Sequence, residues 1–186
     1  MAMLSIAGNA KDFALESMSF GVKARGYLKV MDSPGSEVKI PILATVGKSL
    51  HPLMFVVAGV HPNEYEGQEA VRRFFDWLPL EELQGSFIGI PVCNTLAYEY
   101  ARRTSLDCVD GTNLARIFPG DPRGTPTQRL ADALFGLAVR HLRPGDLFVD
   151  YHSAEDTYNL LPLSGYRAVD NPSRELSMKA ARCLQG

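Results

Sequence analysis

Apolar positions in this chain fall into short runs whose period changes between polar turns. Val22 to Val30 alternates loosely, Ser33-Pro34-Gly35-Ser36 supplies turn residues, and Val38 to Val46 resumes in β-branched residues. Leu53 to Val60 is continuously apolar, which predicts a central strand covered on both faces. Glu64 to Leu78 takes the helical period, with Ala70, Val71, Phe74, Phe75 and Leu78 on one face. Ser86 to Val92 predicts another short strand. From Thr95 to Gly124 the period is lost while Asp, Arg, Asn and Gly accumulate. A long irregular stretch inside a compact domain is often functional.

Thr125-Pro126-Thr127-Gln128 then has the form of a capping box with proline at the first helical position. The predicted helix runs through Leu130, Leu134, Leu137 and Ala138 to about Leu142, and Pro144-Gly145 ends it. Asp146 to Tyr151 reads as a strand, and Asn171-Pro172 opens a last helix carrying Leu176 and Leu184. Strands alternating with helices predict an α/β sandwich around a mixed or mostly parallel sheet.

At 186 residues the chain is one domain by size, residues 1–186, or part of a larger one. A 46% hydrophobic content supports a real core, and a net charge of −2 leaves no basic footprint for nucleic acid or an anionic membrane. No basic segment precedes an apolar one at the N-terminus, so no signal peptide is expected, and no apolar run is long enough to span a bilayer. Cys93, Cys108 and Cys183 are odd in number and scattered, which argues for a reducing cytoplasm over a disulfide framework. They lack metal-site spacing, and each reads as a small buried hydrophobe.

Two apolar strands end in histidine. Val56-Val57-Ala58-Gly59-Val60-His61-Pro62-Asn63-Glu64 places a carboxylate three residues after the first, and the two side chains converge if the backbone turns into a helix there. Zinc accepts both ligand types at roughly 2.0–2.2 Å. Alone, the pair also fits a capping histidine and a first-turn glutamate that suits the helix dipole. The second strand, Phe148-Val149-Asp150-Tyr151-His152, makes His152 a good third ligand. Alternation puts Asp150 on the same side, as an acceptor that orients the imidazole. Between them, the stretch from Arg102 to Gly120 offers forked guanidinium donors. These suit a carboxylate or a developing oxyanion, or they pair with Asp107 and Asp110 in a solvated loop.

Gly59 to Gly67, then Asp110-Gly111-Thr112-Asn113-Leu114-Ala115-Arg116-Ile117-Phe118-Pro119-Gly120, then Asp150-Tyr151-His152 occur in that order. This set resembles the succinylglutamate desuccinylase/aspartoacylase family, within the zinc carboxypeptidase-like superfamily, from about Val22 to the chain end. The resemblance implies a three-layer α/β/α sandwich around a mixed, mostly parallel sheet. It implies one zinc per chain on His61, Glu64 and His152, with Arg116 binding a substrate carboxylate. Arg103 is then the candidate for polarising the scissile carbonyl, and Asn113 for shaping the substrate loop. The implied reaction is hydrolysis of a small anionic N-acyl amino acid by zinc-activated water.

The chain departs from the family pattern at Ala115, where the family usually has Asn, and at Pro62, where it commonly has Gly. The first removes an amide from the expected pocket and puts the usual aspartate or glutamate substrate in question. Family members also continue further, with a general-base glutamate on a later strand and a C-terminal β-rich domain. The chain therefore reads as the metal-binding front part of a longer enzyme, truncated at its C-terminus and without that base. Glu155 and Glu175 read as a loop carboxylate and a helix-surface residue. Two alternatives stay open: a carboxypeptidase-like peptide hydrolase, and a non-catalytic metal-binding module. An unfinished sheet edge would invite pairing in a homo-oligomer.

Overall fold

A computed structural model of the chain describes residues 3–155, 158–168 and 173–183. Its sheet runs in the order β1-β2-β3-β5-β4-β6. These strands are β1 (Leu4–Asn9), β2 (Val22–Ser33), β3 (Ser36–Val46), β4 (Leu53–Val57), β5 (Ser86–Ile90) and β6 (Leu147–Asp150). The pairs β1–β2, β4–β5 and β4–β6 are parallel, whereas β2–β3 and β3–β5 are antiparallel, so the sheet is mixed. The helices are α1 (Tyr65–Trp77), the short α2 (Thr95–Tyr98), α3 (Pro126–His141) and α4 (Arg174–Cys183).

Strand alternation divides the core between the two faces of the sheet. Ile40, Ile42, Phe55, Val57, Ile88 and Ile90 point to one face, where they pack with Leu130, Leu134 and Leu137 of α3. Leu43, Val56 and Phe87 point to the other, against Val71, Phe75 and Leu78. The expected three layers are therefore present. β4 lies between β5 and β6, and Phe55, Val56 and Val57 are buried, as its unbroken apolar run predicts.

Several boundaries differ from the expected ones. The run from Leu53 keeps its strand form only to Val57, because Gly59 turns the chain at φ +61°. Ladder-like bonds continue past that point, from the Ala58 amide to the Ile90 carbonyl and from the Cys93 amide to the Ala58 carbonyl. β1, which pairs parallel to β2 at the sheet edge, carries no clear apolar period, and most of its residues are exposed. Ala70 is exposed on α1, and of the three cysteines only Cys93 is buried. The capping box forms as read, and in it the Thr125 amide donates to Gln128 Oε1 at 2.9 Å. Asn171, Pro172 and Leu184 lie outside the described residues, as does the start of the last helix proposed there. Among the described residues no helix is long and apolar enough to cross a membrane.

Candidate metal centre

The parallel neighbours β4 and β6 end side by side, and each hands its chain to one half of the site. Beyond β4, Gln68 donates from Nε2 to the Pro62 carbonyl at 2.8 Å, which pins the turn leading into α1. Glu64 is thereby held as the residue that begins the helix, with the Glu64 amide donating to the His61 carbonyl at 3.1 Å. Beyond β6, the Tyr151 amide donates to the Val57 carbonyl at 2.9 Å and brings His152 level with His61. Gly67 allows the close approach: a Cβ there would stand 2.6 Å from Tyr151 Cβ.

His61, Glu64 and His152 meet as the sequence predicts. His61 Nδ1 lies 2.9 Å from Glu64 Oε1, His152 Nδ1 lies 2.8 Å from Glu64 Oε2, and the two Nδ1 atoms are 3.1 Å apart. One donor atom from each of the three residues lies within 4.8 Å of the other two, so the group could hold a metal ion. Donors around a tetrahedral zinc stand about 3.3–3.6 Å apart, given bonds of about 2.0–2.2 Å. The contacts of 2.8–3.1 Å lie a few tenths of an ångström inside that spacing, the two histidines meeting different oxygens of Glu64. His61 and Glu64 are buried, and His152 sits at the exposed rim.

The far nitrogens support the same fit. His152 Nε2 lies 3.2 Å from Asp150 Oδ2, and His61 Nε2 lies 3.3 Å from Asn113 Oδ1. An imidazole that gives its outer N–H to an acceptor keeps its inner lone pair for a metal. Asp150 thus stands where strand alternation puts it. Asn113 Oδ1, which faces His61, also accepts the Ala115 amide at 2.9 Å.

Electrostatics affects the three side chains unequally. Burial pushes the His61 imidazole below its ordinary value; Glu64 opposes the fall, and the positive charges of Arg103 and His152 add to it. Burial raises the Glu64 carboxyl, yet bonds from the Ser153 amide, His152 and Arg103 hold it below the usual carboxylate range. The Asp150 bond lifts His152 to about 8, against its partial burial. Burial pushes the Cys93 thiol well up, so it is no thiolate ligand.

The irregular stretch contributes Arg103. Its Nη1 donates to Glu64 Oε1 at 2.6 Å and to Glu155 Oε1 at 2.9 Å. The pairing with Asp107 and Asp110 that the sequence also allowed does not form for this arginine. Asp110 instead accepts the Thr127 amide and hydroxyl, both at 2.7 Å, and ties the stretch to the start of α3. Burial raises the Asp110 carboxyl, but these bonds keep it below its ordinary value. Arg116 is exposed on a 3-10 turn directly after Asn113. Ala115 packs against the core on the α3 side, so the position where an amide was expected adds apolar contact.

Three further polar groups at the site escaped the sequence reading. Glu155, taken for a plain loop carboxylate, bonds Arg103 and also accepts from Asn63 Nδ2 at 2.9 Å. The Ser153 amide donates to Glu64 Oε2 at 3.0 Å. Asn63 is buried, and its Oδ1 has no hydrogen-bond partner among the described residues. Only the position of Ser153, next to His152, hinted at any of these contacts. Glu175, by contrast, is the helix-surface residue expected, paired with Lys179 at 2.8 Å.

Comparison with known proteins identifies a family. Residues 51–184 match the family described as the succinylglutamate desuccinylase/aspartoacylase catalytic domain. Over 166 residues, the chain is 34% identical to N-alpha-acetyl-L-2,4-diaminobutyric acid deacetylase of Halomonas elongata, which covers 87% of this chain and 45% of that protein. The crystal structure of succinylglutamatedesuccinylase/aspartoacylase from Rhodobacter sphaeroides superposes with a TM-score of 0.75 at 34% identity, covering 86% of this chain and 48% of the other. The product-bound ectoine utilization protein EutE (DoeB) from Ruegeria pomeroyi gives a TM-score of 0.74 at 28% identity, with the same two coverages of 86% and 48%. The chain spans about half the length of these relatives.

Proposed function

Because this chain belongs to the succinylglutamate desuccinylase/aspartoacylase family, we propose that it holds one zinc ion and serves hydrolysis of a small N-acyl amino acid. His61 and His152 would bind through Nδ1 and Glu64 through its carboxylate. One observation carries the reading: both imidazoles turn Nδ1 toward Glu64 while Asp150 and Asn113 take their outer nitrogens. When bound there, zinc supplies Lewis acidity toward water and an amide carbonyl. Arg103, beside Glu64, would face the oxygen of the scissile carbonyl. Arg116, exposed and next to Asn113, is free to take a substrate carboxylate in its planar fork.

The general base is the part these residues do not supply. In this reading Glu64 is taken up by the metal, and Glu155 is held by Arg103 and Asn63. Turnover by this chain alone is therefore expected to be slow or nil, and this favours a metal-binding role without catalysis as the second reading. The exposed free thiols of Cys108 and Cys183 suit a reducing, cytoplasmic setting.

Metal analysis after reconstitution tests the centre: one zinc per chain is expected, lost in His61→Ala, Glu64→Ala and His152→Ala. A reconstituted chain without zinc would overturn the proposal. Assays of N-acetyl and N-succinyl amino acids beside short peptides separate deacylation from carboxypeptidase action.

A further inference from the structure

Glu155 occupies a backbone conformation that its side chain does not favour. Its φ is +61°, in the left-handed region that glycine and asparagine accept more readily than glutamate. What the strained position achieves is two hydrogen bonds from one carboxylate, Oε1 with Arg103 Nη1 and Oε2 with Asn63 Nδ2, each at 2.9 Å. The contacts join residues 52 and 92 positions apart, so Glu155 ties the loop after β6 both to the arginine stretch and to the turn that carries Glu64.

The shared atom is Arg103 Nη1, which lies between two carboxylates, Glu64 at 2.6 Å and Glu155 at 2.9 Å. Glu64 is buried to 2% exposure, whereas Glu155 keeps 30%. A guanidinium is always charged and cannot leave by losing its proton. Beside a metal centre it repels the cation and competes for the ligand carboxylate. A second carboxylate relieves both effects by drawing the guanidinium to itself.

We propose that Glu155 is the counter-ion of Arg103, a positioning residue that holds the guanidinium beside the metal centre while leaving Glu64 available to the cation. This rests on the zinc reading of His61, Glu64 and His152. Glu155 acts through Arg103: one of its oxygens accepts from Arg103 and the other from Asn63.

Zinc titration of the full chain against a chromophoric chelator tests it, with metal affinity as the readout. Glu155→Gln removes the charge and keeps the length, and is expected to weaken zinc binding about tenfold, the lower end for groups that support a ligand. Glu155→Asp, which keeps the charge on a shorter arm, should recover part of that loss. In an Arg103→Met background, Glu155→Gln should change affinity less than about twofold, because no guanidinium remains to be neutralised. Should the Gln variant not fold, Glu155→Asn makes the same comparison on a residue that accepts the left-handed backbone. Unchanged affinity in Glu155→Gln, or a tenfold loss that persists in the Arg103→Met background, would overturn the proposal. A wild-type chain that binds no zinc overturns the zinc reading beneath it, which is a different result from wild-type binding that Glu155→Gln leaves unchanged.

Discussion

Asp150 Oδ2 lies 3.2 Å from His152 Nε2, on the opposite side of the imidazole from Glu64. The carboxylate fixes the ring's orientation and keeps the outer nitrogen protonated, so the inner one presents its lone pair. Asp150→Ala should therefore weaken zinc binding by about 10–100-fold, the usual cost of removing such a partner. A chelator-competition titration gives the number, and affinity equal to wild type would remove Asp150 from the centre.

Zinc uptake should depend on pH through His152. Its zinc-free imidazole titrates at about 8, raised first by the Asp150 bond. Below that pH the metal must displace a proton, so apparent affinity should fall about tenfold per unit as pH drops from about 8. The metal-free fold behaves in the opposite sense. A folded value of about 8 exceeds the unfolded value of about 6.5, so this contribution to stability is fully present below about 6.5 and fades as pH rises through about 8. Titrations and melting curves at pH 6, 7, 8 and 9, with and without zinc, should diverge accordingly.

Gly67→Ala should disturb both fold and site. The added Cβ would meet Tyr151 Cβ at 2.6 Å, and neither atom is the free end of a flexible side chain. Overpacking of this kind costs about 1–3 kcal/mol. The strain falls between the first turn of α1, which follows Glu64, and the residue before His152. Lower thermal stability with weaker zinc binding is expected, and an unchanged melting temperature would contradict the close packing.

Asp110→Ala should loosen the arginine stretch. It removes bonds from the Thr127 amide, the Thr127 hydroxyl and the Thr112 amide. Hydrogen bonds to a charged group are worth about 1.5–3 kcal/mol each, but water replaces part of that at a half-buried site, so a total loss of about 1–3 kcal/mol is expected. Denaturant unfolding measures it, and limited proteolysis between Arg102 and Gly120 should quicken.

The folded state should also gain from zinc itself. At a free concentration one hundred times Kd, binding adds about 2.7 kcal/mol if the unfolded chain binds none. Calorimetry with and without zinc reads this as a raised melting temperature, and the rise should vanish in Glu64→Ala.

Local pattern was enough for the parts of this protein that depend on neighbours in sequence. The alternating and continuous apolar runs determined the buried strands, and the helical period determined α1 and α3, because each period puts side chains on one face. Strand ends tipped with His61 and His152, Glu64 three residues on and Asp150 two residues back were readable for the same reason. The pairings across long separations were decided only by the tertiary structure. Which imidazole nitrogen turns inward depends on Asn113, 52 residues from His61, and on Glu64, 88 residues from His152. That Asp110 serves the start of α3, and that Glu155 holds Arg103, follows from where β4, β6 and the irregular stretch cross. Periodicity records which face of an element is buried, and it carries no information about which distant polar group arrives there to complete a hydrogen bond.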